Sequence, residues 1–591
     1  MLLSTINMSW CLAVILIIYF MYYIWCRFFS LHGLPANLPW AGAGNSPLSR
    51  ARIIRKSLFG LREIIQDGYY KYSKNEQVFV LPNLATGPEV ILPMSQMKWL
   101  LEQPDHVLNQ NEVNSEFLHA ERTMLHPHVI RDTVHGHIIR RELTKDLDNY
   151  AEAAVEEIQH ALNNVWGSNT QDWKDVPLYD TLLEVIGRIS NRVLVGLPLC
   201  RDKDYLRSTT TFARSVVITA GMINLLPPML RPILGPLITA YDKSHYRNIA
   251  KHIFPIVGER MANFKPGLDY RNPDYSKHND YIQWALHDAF SHNDPAERTP
   301  EMITKRLTVL SFAAIQSSVI TITNVLFDIA ASSRCEQIQD SLREEINSVI
   351  AEKPGQEWRR ASLNAMNRVD SALRESMRLW GFISRGVMKK VVAPGGVDIP
   401  SGDHLPYGSK VGVTSYGIHH DESAYPNALH YDPFRFAAPS EKRPDGEKSA
   451  NKPFNLVTTT DNWMAFSHGR HACPGRWFAA NQLKLLLSQI VLNYDIESIP
   501  ERPQNPWINN TVGPPIWSTL RIRRRPNTAS IECPEAPPTL SPSFFEKDPK
   551  DLSSFPFPQR DSRRPSTFLD AKLLQHLAST AHEIASPITV S

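Results

Sequence analysis

Apolar residues recur at three- and four-residue steps through most of this chain, the spacing that gathers them on one face of a helix. The pattern predicts helices over 149–164, 178–195, 281–291, 302–330, 336–351 and 368–379. Strand-like runs are fewer and short, at 77–81, 89–92, 386–392, 397–399, 410–414 and 520–522, each bounded by Gly, Pro or Asp. The chain therefore reads as mainly α with a smaller β portion, without repeats and without βαβ alternation. The run 302–330 is long enough to cross a whole domain.

The two ends break this pattern. No charged side chain occurs from Met1 to Cys26, and residues 10–26 (WCLAVILIIYFMYYIWC) are apolar apart from tyrosine hydroxyls. As a helix that stretch reaches about 26 Å, and Ile6–Ser9 lengthen it to a bilayer crossing. Trp10, Tyr22, Tyr23 and Trp25 sit near its ends, where amphipathic rings prefer the interface. A basic n-region and a small-residue cleavage site are both missing, so residues 1–27 read as a retained single-pass anchor, not a signal peptide. Arg27, Arg50, Arg52, Arg55 and Lys56 follow and place the body in the cytosol, on the endoplasmic reticulum membrane of a eukaryotic cell. Pro35 and Pro39 make 28–45 a stiff hinge, and 46–525 reads as one catalytic domain. Residues 526–591 hold ten of the 44 prolines and none of the 27 glycines, the composition of a disordered tail, with a short amphipathic helix over 571–585. Residues 212–240 are unusually apolar and hold four prolines. They form either a buried loop between two helices or a second membrane-dipping element near a lipophilic entrance.

Composition excludes several classes. Of 591 residues, 42% are apolar and 21% charged, as in ordinary globular proteins. Lys+Arg 63 against Asp+Glu 60 is too even for a nucleic-acid partner. Six scattered cysteines do not make a disulfide scaffold.

One cysteine is set apart by its surroundings, Phe466-Ser-His-Gly469-Arg-His471-Ala-Cys473-Pro-Gly475-Arg476, directly before an amphipathic helix. Glycines permit positive φ and close backbone approach, and amides at a helix start favour an anionic sulfur. Such a loop can present a thiolate to one face of a planar cofactor, with Phe466 closing its apolar side. A zinc site built from His468, His471, Cys473 and His419 or His420 lacks the paired ligand spacing of structural zinc and leaves the glycines unexplained.

The motif Phe-x-x-Gly-x-(Arg/His)-x-Cys-x-Gly resembles the heme-binding loop of the cytochrome P450 monooxygenases. The resemblance implies that family's fold over about 40–525, heme b (iron protoporphyrin IX) as cofactor, and Cys473 as axial iron ligand. Phe466, Gly469, His471 and Gly475 become cofactor contacts. His471 stands where most members carry a propionate-binding arginine, a variant of fungal enzymes. Of two E-x-x-R pairs, Glu357/Arg360 and Glu375/Arg378, the resemblance selects the second, which lies on the helix DSALRESMRLW with both charges on one face. Arg435 matches the arginine that joins this pair in a structural network. At the centre of 302–330, Ala313 and Ser317 share a face and leave a small-residue groove. Alone it is a close-packing stripe; beside a heme loop it resembles the family's oxygen-activating groove, with Gln316, Ser317 and Ser318 as catalytic residues. There the chain departs from the family: glutamine replaces the usual acid and serine the usual threonine, so proton delivery falls to serine and water. His137 and Arg141 have the i,i+4 spacing of two family propionate contacts, or are a solvated basic helix face. Residues 380–387 are expected to line the substrate cavity.

The implied reaction inserts one oxygen atom of O2 into a C–H bond and releases the other as water. No G-x-G-x-x-G follows a strand, so NADPH and flavins enter only through a partner, NADPH–cytochrome P450 reductase, with cytochrome b5 as an optional second donor. Arg470, Arg476 and Lys484 offer an acidic partner a docking face, or are solvated surface. His471, the Gln316-Ser317 centre and VGLPLC (195–200) resemble the fungal secondary-metabolism branch. That implies a lipophilic small-molecule substrate, a terpenoid or related polycyclic compound. Two other readings stand beside it: a heme-thiolate isomerase or dehydratase that needs neither O2 nor NADPH, and a noncatalytic membrane-anchored scaffold.

Overall fold

The computed structural model describes residues 2–44, 46–265, 267, 278–292, 295–355, 357–437 and 455–526, with side chains from Ala13 onward. The expected tail lies outside the described residues beyond Pro526. The six periodic segments are helices at Leu147–Val165, Leu178–Leu194, Tyr281–Ser291, Pro300–Ala330, Cys335–Glu352 and Asn367–Leu379. The longest begins where the Thr299 hydroxyl accepts the Met302 N–H at 3.1 Å, with Pro300 in the first turn, where no donor is needed. It packs against Leu178–Leu194, Lys203–Leu225, Ala240–Ala262, Asn367–Leu379 and Arg476–Asn493. By length and hydropathy it could span a membrane, but its apolar window is 61% buried, so it is the core helix of the body.

Residues 212–240 are not a buried loop. The helix Lys203–Leu225 leads through a turn at Pro228–Leu230 into a short helix, Arg231–Ile238, and then into Ala240–Ala262. Ile233 and Leu237 of the short helix are 65% and 70% exposed. Its prolines shorten it, so it cannot fold its apolar side back onto the body.

A five-stranded sheet runs in the order Phe79–Leu81, Glu89–Ile91, Lys410–Gly412, Met388–Val391, Leu108–Asn109, antiparallel except where Glu89–Ile91 meets Lys410–Gly412. Thr519–Arg524 is the middle strand of a second sheet, between Lys174–Pro177 and Tyr494–Ile496. The segment expected to be a stiff proline-containing hinge packs on the body. The Pro39 carbonyl accepts the Val80 N–H at 2.8 Å, and Leu34, Leu38 and Trp40 are buried against the five-stranded sheet. Three apolar side chains brought within reach by two prolines find burial more favourable than solvent. Before them Leu2–Phe28 is one helix whose described apolar side chains, such as Ile17 at 62%, are largely exposed.

Candidate active site

Cys473 ends a loop that feeds the helix Arg476–Asn493. Its N–H donates to the Phe466 carbonyl at 2.9 Å, and the chain turns through Ser467 (φ +59°) and Gly469 (φ +73°). Phe466 meets Trp463 edge-on, with ring centroids 6.1 Å apart. Gly469 is required twice over: its backbone is left-handed, and a Cβ would stand 2.8 Å from Leu101 Cδ2. Gly469→Ala is therefore expected to cost about 1–2 kcal/mol from backbone strain alone. Thermal unfolding and heme content per chain should both fall. Gly475 differs, because its φ of −88° suits any residue. No heavy atom lies within 4 Å of where its Cβ would be, so the loop has an open side next to the sulfur.

The N–H groups of Gly475 and Arg476 donate to the Cys473 sulfur, and the charges of Arg476 and Arg140 act on it. Burial outweighs them and pushes the thiol up from its ordinary value. The loop by itself thus does not make the thiolate that its amides suggest; coordination to a metal would, by displacing the proton. Cys473 stays partly accessible, whereas Cys200 and Cys335 are buried. On the long helix Ala313 is exposed and Ser317 half-buried, between buried Ser311, Ile315 and Ser318. A partly exposed cysteine, open space at Gly475 and an exposed Ala313 in the middle of a core helix fit a planar, thiolate-bound cofactor.

The imidazoles do not assemble a zinc site. The Met464 N–H donates to His419 Nε2 (3.0 Å), His468 Nδ1 lies 2.8 Å from the Thr459 hydroxyl, and His420 Nδ1 lies 2.8 Å from the Tyr416 carbonyl. Among the described residues no group of three His, Cys, Asp or Glu could hold a metal ion. His471 Nε2 is paired with Asp105 Oδ1 at 2.8 Å, as is Arg470, leaving only Nδ1 for a propionate. Burial pushes the Asp105 carboxyl up, but His471 and Arg470 overcome it and hold it below the usual range.

Arg141 is not placed as its spacing suggests. It is tied to Glu142 and, at 2.8 Å, to Asp288, and His137 is exposed. Arg140 is the arginine of that helix whose charge reaches Cys473, and Gly136 brings the helix against the loop, its Cβ position 3.4 Å from Pro474. A shift of one residue turns a side chain by about 100° around a helix, which spacing alone cannot resolve.

Glu375, Arg378 and Arg435 are brought together. Arg378 donates twice to Glu375, both at 2.8 Å, and also to the His419 carbonyl; Arg435 Nε donates to Glu375 Oε1 at 3.0 Å. Glu357 and Arg360 do not pair: the former accepts the Gly355 N–H and the latter's N–H donates to Asp148. In the groove the Ser317 hydroxyl donates to the Ala313 carbonyl at 2.9 Å, Ser318 is buried, and Gln316 is bonded to Tyr179, a partner sequence spacing could not have found.

A cysteine loop opening a helix that packs on a long core helix with a small-residue opening at its centre fits a heme-thiolate protein. The sequence model of the cytochrome P450 family matches residues 103–516. The cytochrome P450 monooxygenase gloP of Glarea lozoyensis is 31% identical over 498 residues, covering 82% of this chain and 90% of that protein. Cytochrome P450 monooxygenase 151 of Postia placenta is 32% identical over 465 residues, covering 78% and 88%. The structure of retinoic-acid-bound cyanobacterial CYP120A1 shares the fold at 17% identity, with a TM-score of 0.57 over 83% of this chain and 99% of that one. The chain belongs to the cytochrome P450 family, and it is a monooxygenase whose cofactor is heme b.

Proposed function

We propose that this chain is a membrane-anchored, reductase-dependent monooxygenase that inserts one oxygen atom of O2 into a C–H bond of a lipophilic small molecule. The substrate class is a terpenoid or related polycyclic intermediate of fungal secondary metabolism. The observation that carries the reading is the Cys473 loop, with the cysteine partly exposed and its Gly475 side open. Thiolate-bound heme, when present, supplies O–O cleavage and oxygen insertion. Cys473 would hold it, with Phe466, Gly469 and Gly475 shaping the loop, and Arg140 would set a positive charge near its carboxylates. Ala313 leaves room opposite. Ser317 is the hydroxyl that holds a proton there, and it must leave the Ala313 carbonyl to pass that proton on. The Val512 N–H donates to the Phe382 carbonyl at 2.9 Å, which steadies 380–387 as one wall of the substrate cavity.

The anchor is the exposed apolar helix Leu2–Phe28, residues 1–27 in the expected partition, with 46–525 catalytic and 526–591 a tail. The Met229 N–H donates to the Tyr19 hydroxyl at 3.2 Å, which sets the exposed Arg231–Ile238 segment beside the anchor as a second membrane contact. The basic residues that follow the anchor support a body on the cytosolic face of the endoplasmic reticulum. Electrons would come from NADPH through the reductase, with cytochrome b5 as an optional donor. Lys484 has no part in docking: it is buried, ion-paired with Asp370 and bonded to the Leu363 carbonyl. Arg141 and Arg470 are already ion-paired, so exposed Arg140 and Lys145 are the cations we assign to an acidic partner.

Co-expression with a reductase and incubation of a terpenoid panel under 18O2 test the reading. Product carrying one 18O atom and requiring NADPH is the expected result. Conversion that needs neither O2 nor NADPH would establish the isomerase or dehydratase instead, and a protein that binds no heme would establish the scaffold.

A further inference from the structure

Gln316 stands where a carboxylic acid would give the groove a titratable group, and the structure shows what holds it. Tyr179, on the Leu178–Leu194 helix packed against the long helix, is 2% exposed. Its hydroxyl lies 3.2 Å from Gln316 Nε2 and 3.4 Å from Oε1, and it has no other hydrogen-bond partner among the described residues. The charged groups acting on it are Arg214, 5.7 Å from its ring centroid, and Asp180, which pairs with Arg214 at 3.2 Å at the surface. Gln316 points about 100° around the helix from Ser317, so this bond holds the carboxamide away from the face that Ala313 and Ser317 share.

We infer that Tyr179 is a positioning residue of the groove: its phenol pins the Gln316 carboxamide to the neighbouring helix and keeps it, and the water it would bring, away from Ser317. The inference rests on the heme-thiolate reading. A half-buried carboxamide released from this bond loses its partner, and its nearest remedy is water drawn into the groove. The pair is neutral, so it closes the groove without a counter-ion. Ser317 is left as the protic side chain through which protons arrive.

The test uses purified, full-length holoprotein. Tyr179→Phe keeps the ring and removes the hydroxyl, Gln316→Asn keeps the carboxamide and shortens its reach, and Gln316→Leu removes the polar group. Each is reduced with dithionite and mixed with O2, and reoxidation is followed by stopped flow. Tyr179→Phe and Gln316→Asn are expected to speed reoxidation at least about threefold, the effect of one lost hydrogen bond on a rate. The Tyr179→Phe/Gln316→Leu double variant should reoxidise more slowly than Tyr179→Phe, because neither polar group is left to draw water in. A merely structural contact would make all the variants alike. Thermal unfolding supplies a readout independent of the cofactor's chemistry: the midpoint losses of Tyr179→Phe and Gln316→Leu should be non-additive in the double variant. Wild-type reoxidation in both Tyr179→Phe and Gln316→Asn, or additive midpoints, would overturn the inference. If the heme-thiolate reading itself is at fault, the wild-type protein will lack the red-shifted carbon monoxide band, a failure visible before any variant is made.

Discussion

Cys473→Ser is expected to abolish the red-shifted Soret band of the reduced, carbon monoxide-bound protein and to reduce NADPH-dependent oxygenation below detection. A serine hydroxyl is a far weaker acid than a thiol and a hard donor, so it cannot supply the electron push that favours O–O cleavage. The substitution should spare the fold. The bond that fixes the loop is made by the Cys473 backbone N–H to the Phe466 carbonyl, and serine retains it. Burial already keeps the free thiol up from its ordinary value, so the apoprotein holds a neutral group at this position in either case. Cys335→Ser is the control: Cys335 is buried beside Gln339 and the Ile496 carbonyl, and its replacement should leave the band in place. A normal red-shifted band in Cys473→Ser, or loss of the band in Cys335→Ser alone, would remove Cys473 from the iron.

What could be read in the sequence follows from how far its causes reach along the chain. The Cys473 loop was legible because its chemistry lies within ten residues, and the Glu375–Arg378 pair because i,i+3 spacing puts both charges on one helix face. Arg435, 60 residues away, entered only through resemblance to a family, and the structure sets it on Glu375. The long helix was legible from periodicity, and the structure adds its Thr299 cap and Pro300 first turn. Short strands such as Glu89–Ile91 and Lys410–Gly412 were legible inside apolar runs, whereas Leu108–Asn109 has only two residues and no such run around it and was missed. His137 and Arg141 were singled out by i,i+4 spacing alone, which says nothing of the ion pairs Arg141 makes with Glu142 and Asp288. Lys484 looked like surface because lysine is rarely buried, and only its pairing with Asp370 from another helix makes burial tolerable. Tyr179 lies 137 residues from Gln316, and no local rule joins a phenol to an amide at that distance.

Glu375→Gln is expected to destabilise the protein by about 3–5 kcal/mol, the cost of leaving buried charge uncompensated. Glu375 and Arg378 side chains are fully buried, and the Arg435 side chain is 13% exposed. The carboxylate accepts two bonds from Arg378, one from Arg435 and one from the Asp432 N–H, so an amide in its place would present donors to donors on one side. Against a total stability of about 5–15 kcal/mol such a loss is large. Little holoprotein should accumulate, because the network joins the Asn367–Leu379 helix to the segment around Arg435 and to His419, whose ring accepts the Met464 N–H at the start of the cysteine loop. The effects should be graded by geometry. Arg378→Lys loses the two-point contact and should cost nearly as much as Glu375→Gln, since an ammonium cannot reproduce the guanidinium fork. Arg435→Lys should cost least, because Arg435 is the most exposed of the three and also donates to the carbonyls of Pro426, Asn427 and His430, which an ammonium can still reach in part. Denaturant unfolding of the three variants, read beside heme content, measures the order. Equal small losses in all three would mean that the cluster is no more than a solvated surface network, and its burial would then have no energetic consequence.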